Sequence, residues 1–409
     1  MSRKQELDQP NLHQLVKRDN FCILPFVHQY VATTGAVNLC CVADYTDPIE
    51  ENISTLDKAW TSPAMQESRR RMLNNEFEPR CTLCYKQGEA SDRMVVNKNW
   101  SERYPDIKLD IEKGNDIGNP VFLDLRPGRL CNLKCRMCFS DVSSAIAEEL
   151  EEHPEIAELI GDVPRDISEW LDNDEAFESV KRAIPHTQVL KLAGGEPLFM
   201  PGVLKLLRWM IESNNTHVYL DITTNGTRLQ GKTYRLLEHF GKDIQFSMCG
   251  IGYTNDYIRE GADWNQLKDA YKQYRDMYRT QIHIMSTVQL YNLFNIEEII
   301  EWWYANKPPG GNLIFNLVNF PEDLSIDLAE KEDRLERAEH LRKYQNILGT
   351  ETRINHIIER LETVEDTDYT VELRKRWVER TSNFDTIRNQ DINKVHSKLG
   401  NYFKQWQKK

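Results

Sequence analysis

The chain has 409 residues, a net charge of −12 and nine cysteines. This length accommodates two or three domains with a sizeable core, and nine thiols over it are not a disulfide scaffold. No run approaches the roughly 18 apolar residues of a membrane-spanning helix. The N-terminus, Met1-Ser2-Arg3-Lys4-Gln5-Glu6, is polar and has no segment of signal-peptide type. No basic patch with interleaved aromatics supports nucleic-acid binding. The expectation is a soluble cytoplasmic protein whose clustered cysteines bind a metal or an iron–sulfur cluster.

The first unit spans residues 1–110. His28-Gln29-Tyr30-Val31-Ala32 and Ala36-Val37-Asn38-Leu39-Cys40-Cys41-Val42 flank a turn at Thr34-Gly35, which predicts a β-hairpin. A helix is predicted from about Ser62 to Asn74, with Ser62 as its cap and Pro63 in its first turn. Cys22, Cys40 or Cys41, Cys81 and Cys84 make a four-cysteine set. Four thiolates from a hairpin and a helix can close a cubane cluster. The Cys81-x2-Cys84 arm equally permits a zinc knuckle. Neighbouring side chains in a strand point to opposite faces, so one of Cys40 and Cys41 is expected to ligate. Which one stays open, with Cys40 carried in the set.

From 111 to 320, strands alternate with helices, the pattern of an α/β domain with a parallel sheet. Strands are predicted near 121–126, 188–193, 217–223, 244–248, 281–288 and 312–318. After the first comes Cys131-Asn132-Leu133-Lys134-Cys135-Arg136-Met137-Cys138, three thiols at the spacing C-x3-C-x2-C. Such a loop can hold three irons of a [4Fe–4S] cubane and leave the fourth without a protein ligand. An open metal position is a reactive one, by the logic that separates catalytic from structural zinc. The alternative is a zinc site completed by a distant histidine, although zinc patterns use paired C-x2-C arms.

The second strand ends in Gly194-Gly195-Glu196-Pro197. Two glycines allow close backbone approach. Pro197 is expected to start a helix bearing Val203, Leu204, Leu207, Met210 and Ile211 on its apolar side. Glu196 then projects at a strand's C-terminal end, where chemistry sits in parallel barrels. Thr224-Asn225-Gly226-Thr227 after the third strand is a turn that shapes the mouth. The fourth strand ends at Ser247, with Cys249 read as a buried small residue. Arg259 offers either a carboxylate-binding fork or a surface ion pair. His283 reads as a hydrogen-bonded structural residue, and Gln289 and Asn292 as candidate pocket lining. Residues 146–180 hold 13 acidic residues against one arginine, so this stretch alone carries the net charge. A solvated helical face is the default for it, and a docking face for a cationic partner the sharper option. Residues 321–409 read as a helical cap, with Leu335, Ala338 and Leu341 at helical spacing and Trp377, Phe384, Tyr402, Phe403 and Trp406 as anchors.

The cysteine loop after an apolar strand, with Asn132 behind its first cysteine, resembles the signature of radical S-adenosylmethionine (radical SAM) enzymes. Gly194-Gly195-Glu196-Pro197 resembles that family's GGEP motif, and Tyr257-Ile258-Arg259-Glu260-Gly261 through Trp264 its I-R-x-G-x-x-W stretch. The resemblance implies a partial (β/α)6 TIM-type barrel in which Cys131, Cys135 and Cys138 hold the catalytic cluster. It implies that Gly194, Gly195, Glu196, Ser247 and Arg259 hold S-adenosylmethionine. The residue before the third cysteine is usually aromatic; here it is Met137, an apolar residue that can pack on the adenine, with Phe139 following. Cys22, Gly35, Cys40-Cys41, Cys81-x2-Cys84 and Gly88-Glu89-Ala90-Ser91-Asp92-Arg93 resemble the twitch and SPASM auxiliary modules of that family. That implies a second [4Fe–4S] cluster on Cys22, Cys40, Cys81 and Cys84.

The expected architecture is therefore an α+β twitch-like module over 1–110, a radical SAM core over 111–320 and a C-terminal helical segment over 321–409. The implied reaction is reductive cleavage of S-adenosylmethionine to a 5′-deoxyadenosyl radical, which takes hydrogen from a peptide or protein side chain. An electron donor such as flavodoxin or ferredoxin is implied. The alternatives are a nucleotide, sugar, RNA or other small-molecule substrate, or a cluster- or zinc-binding module without catalysis.

Overall fold

The computed structural model describes residues 11–88, 91–112, 114–165, 167, 169–228, 231–347 and 352–408. Met1 to Glu6 and Glu89-Ala90, which belong to stretches read above, lie outside them. The fold is α/β with parallel core strands, as a partial (β/α)6 barrel requires. The chain divides into two compact units. The first comprises Met1–Arg129, Ile167–Asp221 and His239–Gly241; the second comprises Leu130–Asp166, Ile222–Glu238 and Lys242–Lys409.

In the first unit, β1 (His28–Val31) and β2 (Val37–Asn38) form the expected hairpin. Gly35 turns its corner at φ +84°, a conformation that costs glycine little. The second arm is shorter than expected. The chain leaves the strand after Asn38 and bends, with the Ala43 N–H donating to the Cys40 carbonyl at 3.3 Å. Cys40 and Cys41 therefore lie in a turn, and strand alternation does not separate them. The helix Pro63–Leu73 begins as read, with the Ser62 side chain accepting from the Met65 N–H. A small pair, β3 (Leu109–Asp110) and β4 (Gly114–Asn115), precedes β5 (Phe122–Leu125). β1 runs parallel to β5, with Tyr30 opposite Asp124. The N-terminal segment thus adds a strand beside the first strand of the core.

After β5 the chain enters the second unit, where it makes β6 (Lys134–Cys135). It returns to the first unit as β7 (Val189–Leu192), parallel to β5 with Lys191 opposite Asp124. Pro197 does not start the following helix. It opens a single 3-10 turn, Pro197–Phe199, and the helix runs from Pro201 to Glu212. Two prolines each suit a first helical position, so the start shifts by one turn. The buried side becomes Gly202, Val203, Leu206, Leu207 and Met210, while Leu204 and Ile211 are half-buried.

β8 (Tyr219–Thr224) passes from the first unit to the second after Asp221. In the second unit, β9 (Lys242–Ser247), β10 (Arg259–Glu260), β11 (Thr280–Val288) and β12 (Leu313–Leu317) follow. β9, β11 and β12 are parallel neighbours. Burial along β8 and β9 alternates with the two-residue period of a strand, leaving Asp221, Thr223, Gln245 and Ser247 half-buried on one face.

The C-terminal residues form the helices Lys331–Arg342, Ile354–Thr363, Asp368–Arg388 and Ser397–Trp406. Trp377, Phe384, Tyr402 and Trp406 are buried, as expected of anchors, and Phe403 is half-buried. Leu335 is not; it is 45% exposed, whereas Arg334 is 1% exposed and pairs with Asp366 at 2.8 Å. That ion pair turns the helix so that Arg334, Ala338 and Leu341 share the inner side. Among the described residues no helix is long and apolar enough to cross a membrane.

Candidate metal and cofactor site

The cysteine loop is held by the backbone on one side and by a helix start on the other. β6 pairs antiparallel with β10, setting Cys135 opposite Arg259 and Lys134 opposite Glu260. The Arg136 N–H donates to the Ile258 carbonyl at 2.8 Å, and the Cys138 N–H to the Cys135 carbonyl at 3.0 Å. On the other side, the Cys131 N–H donates to Ser144 Oγ at 3.1 Å and Ser143 Oγ donates to the Leu133 carbonyl at 2.8 Å. Cys135 is buried; Cys131, Met137 and Cys138 are half-buried.

Cys135 and Cys138 are close enough to share a thiol hydrogen bond, which lowers Cys135 and raises Cys138. The charges of Arg259 and Arg388 lower Cys135 further. Arg259 is 7% exposed, and its Nη1 donates to Cys249 Sγ at 3.6 Å. Among its two sequence readings, the surface ion pair is excluded by this burial. Cys249 is fully buried as expected, but it also anchors Arg259, a contact the sequence does not signal.

The turn after β8 reaches the loop as well. Asn225 Nδ2 lies 3.9 Å from Cys131 Sγ and donates to Asn132 Oδ1 at 2.9 Å. Thr227 Oγ1 donates to the same Asn132 oxygen at 3.1 Å. Asn225 therefore braces the loop, which goes beyond the turn role read from its sequence. Ser247 is the last residue of β9 and half-buried. His283 is structural as read, its Nδ1 accepting from the Asn312 N–H at 3.2 Å. Asn292 Nδ2 donates to the carbonyls of Cys249 at 2.8 Å and Thr287 at 2.9 Å, so it supports this region from behind. The side chains of Gln289 and Ser286 are buried, and among the described residues Ser286 Oγ has no hydrogen-bond partner. A cavity of about 430 Å³ opens beside Cys138, with Phe139, Asp141, Arg165 and Phe320 on its wall.

Gly194, Gly195 and Glu196 belong to the first unit. Gly194 has φ +113°, and a Cβ there would stand 2.8 Å from the Gly128 carbonyl oxygen. The Gly195 N–H donates to that oxygen at 3.2 Å. Glu196 is fully buried, and its Oε1 accepts from the Leu198 N–H at 3.2 Å, so its carboxylate caps the 3-10 turn.

The first unit also holds a buried charged row that the sequence reading passed over. His28 Nε2 lies 3.9 Å from Asp124 Oδ2, and Arg126 Nε lies 3.7 Å from Asp124 Oδ1. Lys191 Nζ pairs with Asp221 at 2.9 Å. Burial alone would raise the Asp124 carboxyl, but Arg126, His28 and Lys191 outweigh it and lower it. The available signal was an aspartate and a lysine inside otherwise apolar strands.

Cys22, Cys40, Cys81 and Cys84 also lie in the first unit, all as free thiols. Burial pushes Cys22 up to about 12, with Cys84 adding to it. Burial likewise raises Cys40, to which Cys41, Cys22 and Cys81 contribute, and Cys81, to which Cys22 and Cys84 contribute. Cys22 thus acts on both Cys40 and Cys81, and Cys84 on both Cys22 and Cys81. Cys41 is exposed, and it acts also on Tyr45 and Arg126. Among the described residues, no three His, Cys, Asp or Glu side chains meet at the spacing of ligands to a single ion.

The sequence profile of the Radical SAM superfamily matches residues 125–302. No curated protein matches the chain. Among solved structures, the chain is similar to native anSMEcpe with bound AdoMet, at 17% identity and a TM-score of 0.39, over 54% of this chain and 59% of that one. It is similar to native anSMEcpe with AdoMet and Kp18Cys peptide at 18% identity and a TM-score of 0.39, over 54% and 58%. It is also similar to Streptococcus suis SuiB bound to precursor peptide SuiA, at 16% identity and a TM-score of 0.37, over 74% and 54%. The matched region thus spans less than two thirds of each of these solved chains. Residues 125–302, which contain the Cys131–Cys138 loop, are a radical SAM domain, the domain of a superfamily of enzymes.

Proposed function

We propose that the chain is a radical SAM enzyme acting on a peptide or protein side chain. The observation that carries this reading is the cysteine loop of the radical SAM domain. Its three thiols are braced by Asn225 and by the strand bearing Arg259, and they have no disulfide partner. The residues fit the implied groups. Cys131, Cys135 and Cys138 offer three soft ligands to a [4Fe–4S] cluster.

For S-adenosylmethionine, the proposed holders are Glu196 and the backbone of Gly194 and Gly195, with Ser247, Arg259 and Met137. Ser286 adds a buried hydroxyl without a partner among the described residues. Together the cluster and S-adenosylmethionine would supply an electron and a 5′-deoxyadenosyl radical, the hard chemistry of the site. The chain's residues bind and orient. Arg259, fixed by Cys249, supplies a buried positive charge beside Cys135 and Cys138.

Residues 1–110 are proposed as an auxiliary module holding a second [4Fe–4S] cluster on Cys22, Cys40, Cys81 and Cys84. Residues 111–320 are then the catalytic core and 321–409 a helical cap. A cluster held by these four thiols would supply either a one-electron acceptor, for a net two-electron oxidation or bond formation, or a point of substrate orientation. Flavodoxin or ferredoxin is the proposed donor, and the cytoplasm the proposed location. Anaerobic reconstitution with iron and sulfide, then dithionite and S-adenosylmethionine, tests the activity. Formation of 5′-deoxyadenosine supports it, and its absence from protein carrying a full triad cluster refutes it.

A further inference from the structure

The C-terminal helix Asp368–Arg388 and the residues just after it grip the cysteine loop at two points, through side chains that lie between the cysteines. The first point is Arg136, one residue after Cys135. Arg136 is 1% exposed. Nη2 donates to Asp385 Oδ1 at 2.6 Å and to Gln390 Oε1 at 2.7 Å, and Nε donates to the Tyr257 carbonyl at 3.1 Å. The guanidinium carbon lies 3.8 Å from the Tyr257 ring centre and 5.8 Å from that of Phe384. Asp385 in turn accepts from the Tyr257 hydroxyl at 2.8 Å and the Ile392 N–H at 2.9 Å.

The second point is Lys134, one residue before Cys135. Its Nζ pairs with Glu149 at 2.9 Å, and Glu149 pairs with Arg388 at 2.5 Å. Cys138 packs on the cluster of Ile146, Leu150, Ile156, Ala157 and Phe384, so the same helix touches the third cysteine too.

We propose that Arg136 and Asp385 are positioning residues for the cysteine triad, and that the C-terminal helix sets the loop conformation through them. This rests on the proposed function in one respect only, the identity of the group the triad holds. The physical argument is that a buried guanidinium is tolerated only with its partners in place. The loop can keep its backbone path between Cys135 and Cys138 only while Asp385 is docked against Arg136. Residues 321–409 are therefore part of the cysteine site, although the radical SAM domain ends before them.

The test compares D385N, D385E and R136M with the full-length parent, and uses E339Q, at an exposed ion pair, as a control. The first readout needs neither cluster nor substrate. It is the rate at which iodoacetamide alkylates Cys131, Cys135 and Cys138 in the cluster-free protein, followed by mass spectrometry. Loss of the buried partner should open the loop more often and raise that rate about tenfold in D385N, with partial recovery in D385E. The Cys249 rate should not change, which separates a local opening from global unfolding. The second readout is the electron paramagnetic resonance signal of the reduced triad cluster, which should broaden or shift in D385N at unchanged iron content. Parent-like alkylation and an unaltered signal in both D385N and R136M would overturn the proposal. If the parent makes no 5′-deoxyadenosine while D385N still shows faster triad alkylation, the positioning role stands and the enzymatic reading falls.

Discussion

Glu149 and Arg388 are 239 residues apart in the chain and form a buried two-point ion pair, Nε to Oε1 at 3.1 Å and Nη2 to Oε2 at 2.5 Å. Burial alone would raise the Glu149 carboxyl; the Arg388 bond and charge outweigh it and hold it below its ordinary 4.5. A carboxyl lowered in the folded state stabilises above its unfolded pKa, and that contribution is lost as pH falls through the folded value. E149Q should therefore flatten the acid side of the stability profile below pH 4.5. E149Q leaves Arg388 buried without its carboxylate, at a cost of about 3 to 5 kcal/mol near neutral pH; R388M should cost less, because Lys134 still pairs with Glu149 at 2.9 Å. Urea unfolding of E149Q and R388M at several pH values checks both statements.

Iron counting divides the cysteines. A protein with two cubanes carries about eight irons per chain, four in each. C135A should retain about four irons and lose 5′-deoxyadenosine formation; C84A should also retain about four, but still cleave S-adenosylmethionine. C40S should behave like C84A, and C41S like the parent, because Cys22 and Cys81 both act on Cys40 whereas Cys41 is exposed. A parent with about four irons and one zinc would refute the auxiliary cluster.

Lys242, at the start of β9, has its ammonium lowered to about 8 from 10.5, first by burial and then by the charge of Arg279. The unfolded chain keeps this proton to higher pH than the folded one. Stability should therefore rise between pH 8 and 10.5, by about 1.4 kcal/mol per pH unit for one proton. K242M should remove that slope, read from unfolding midpoints across the window.

Gly194 admits no side chain without strain. At φ +113°, with the Gly128 oxygen 2.8 Å from the Cβ position, alanine is opposed both conformationally and sterically. G194A should lower stability by about 1 to 3 kcal/mol. Thermal unfolding measures this.

The β-strands of the core, the Ser62-capped helix and the cysteine loop were legible in the sequence because each is a local pattern. A two-residue period, a cap followed by proline and a fixed thiol spacing all act over a few residues. The resemblance of that loop to radical SAM enzymes was legible for the same reason. The single turn at Pro197 and the bend at Cys40 were less so, since two proline starts compete and a strand end leaves little trace.

Other features depended on residues far apart in the chain. Parallel pairing of β1 with β5 joins segments separated by ninety-odd residues and leaves no short-range signal. Asp124 and Lys191 looked like exceptions in apolar strands until the register set them side by side. Cys249 read as a plain buried residue, and no local pattern marks Arg136 or Arg388 as members of buried ion pairs. Sequence alone determined where the thiols fall at short fixed spacings and where the core strands run. Tertiary structure decided which charges are buried against which partners, because a buried ion is stable only where the fold brings its counter-ion within hydrogen-bond reach.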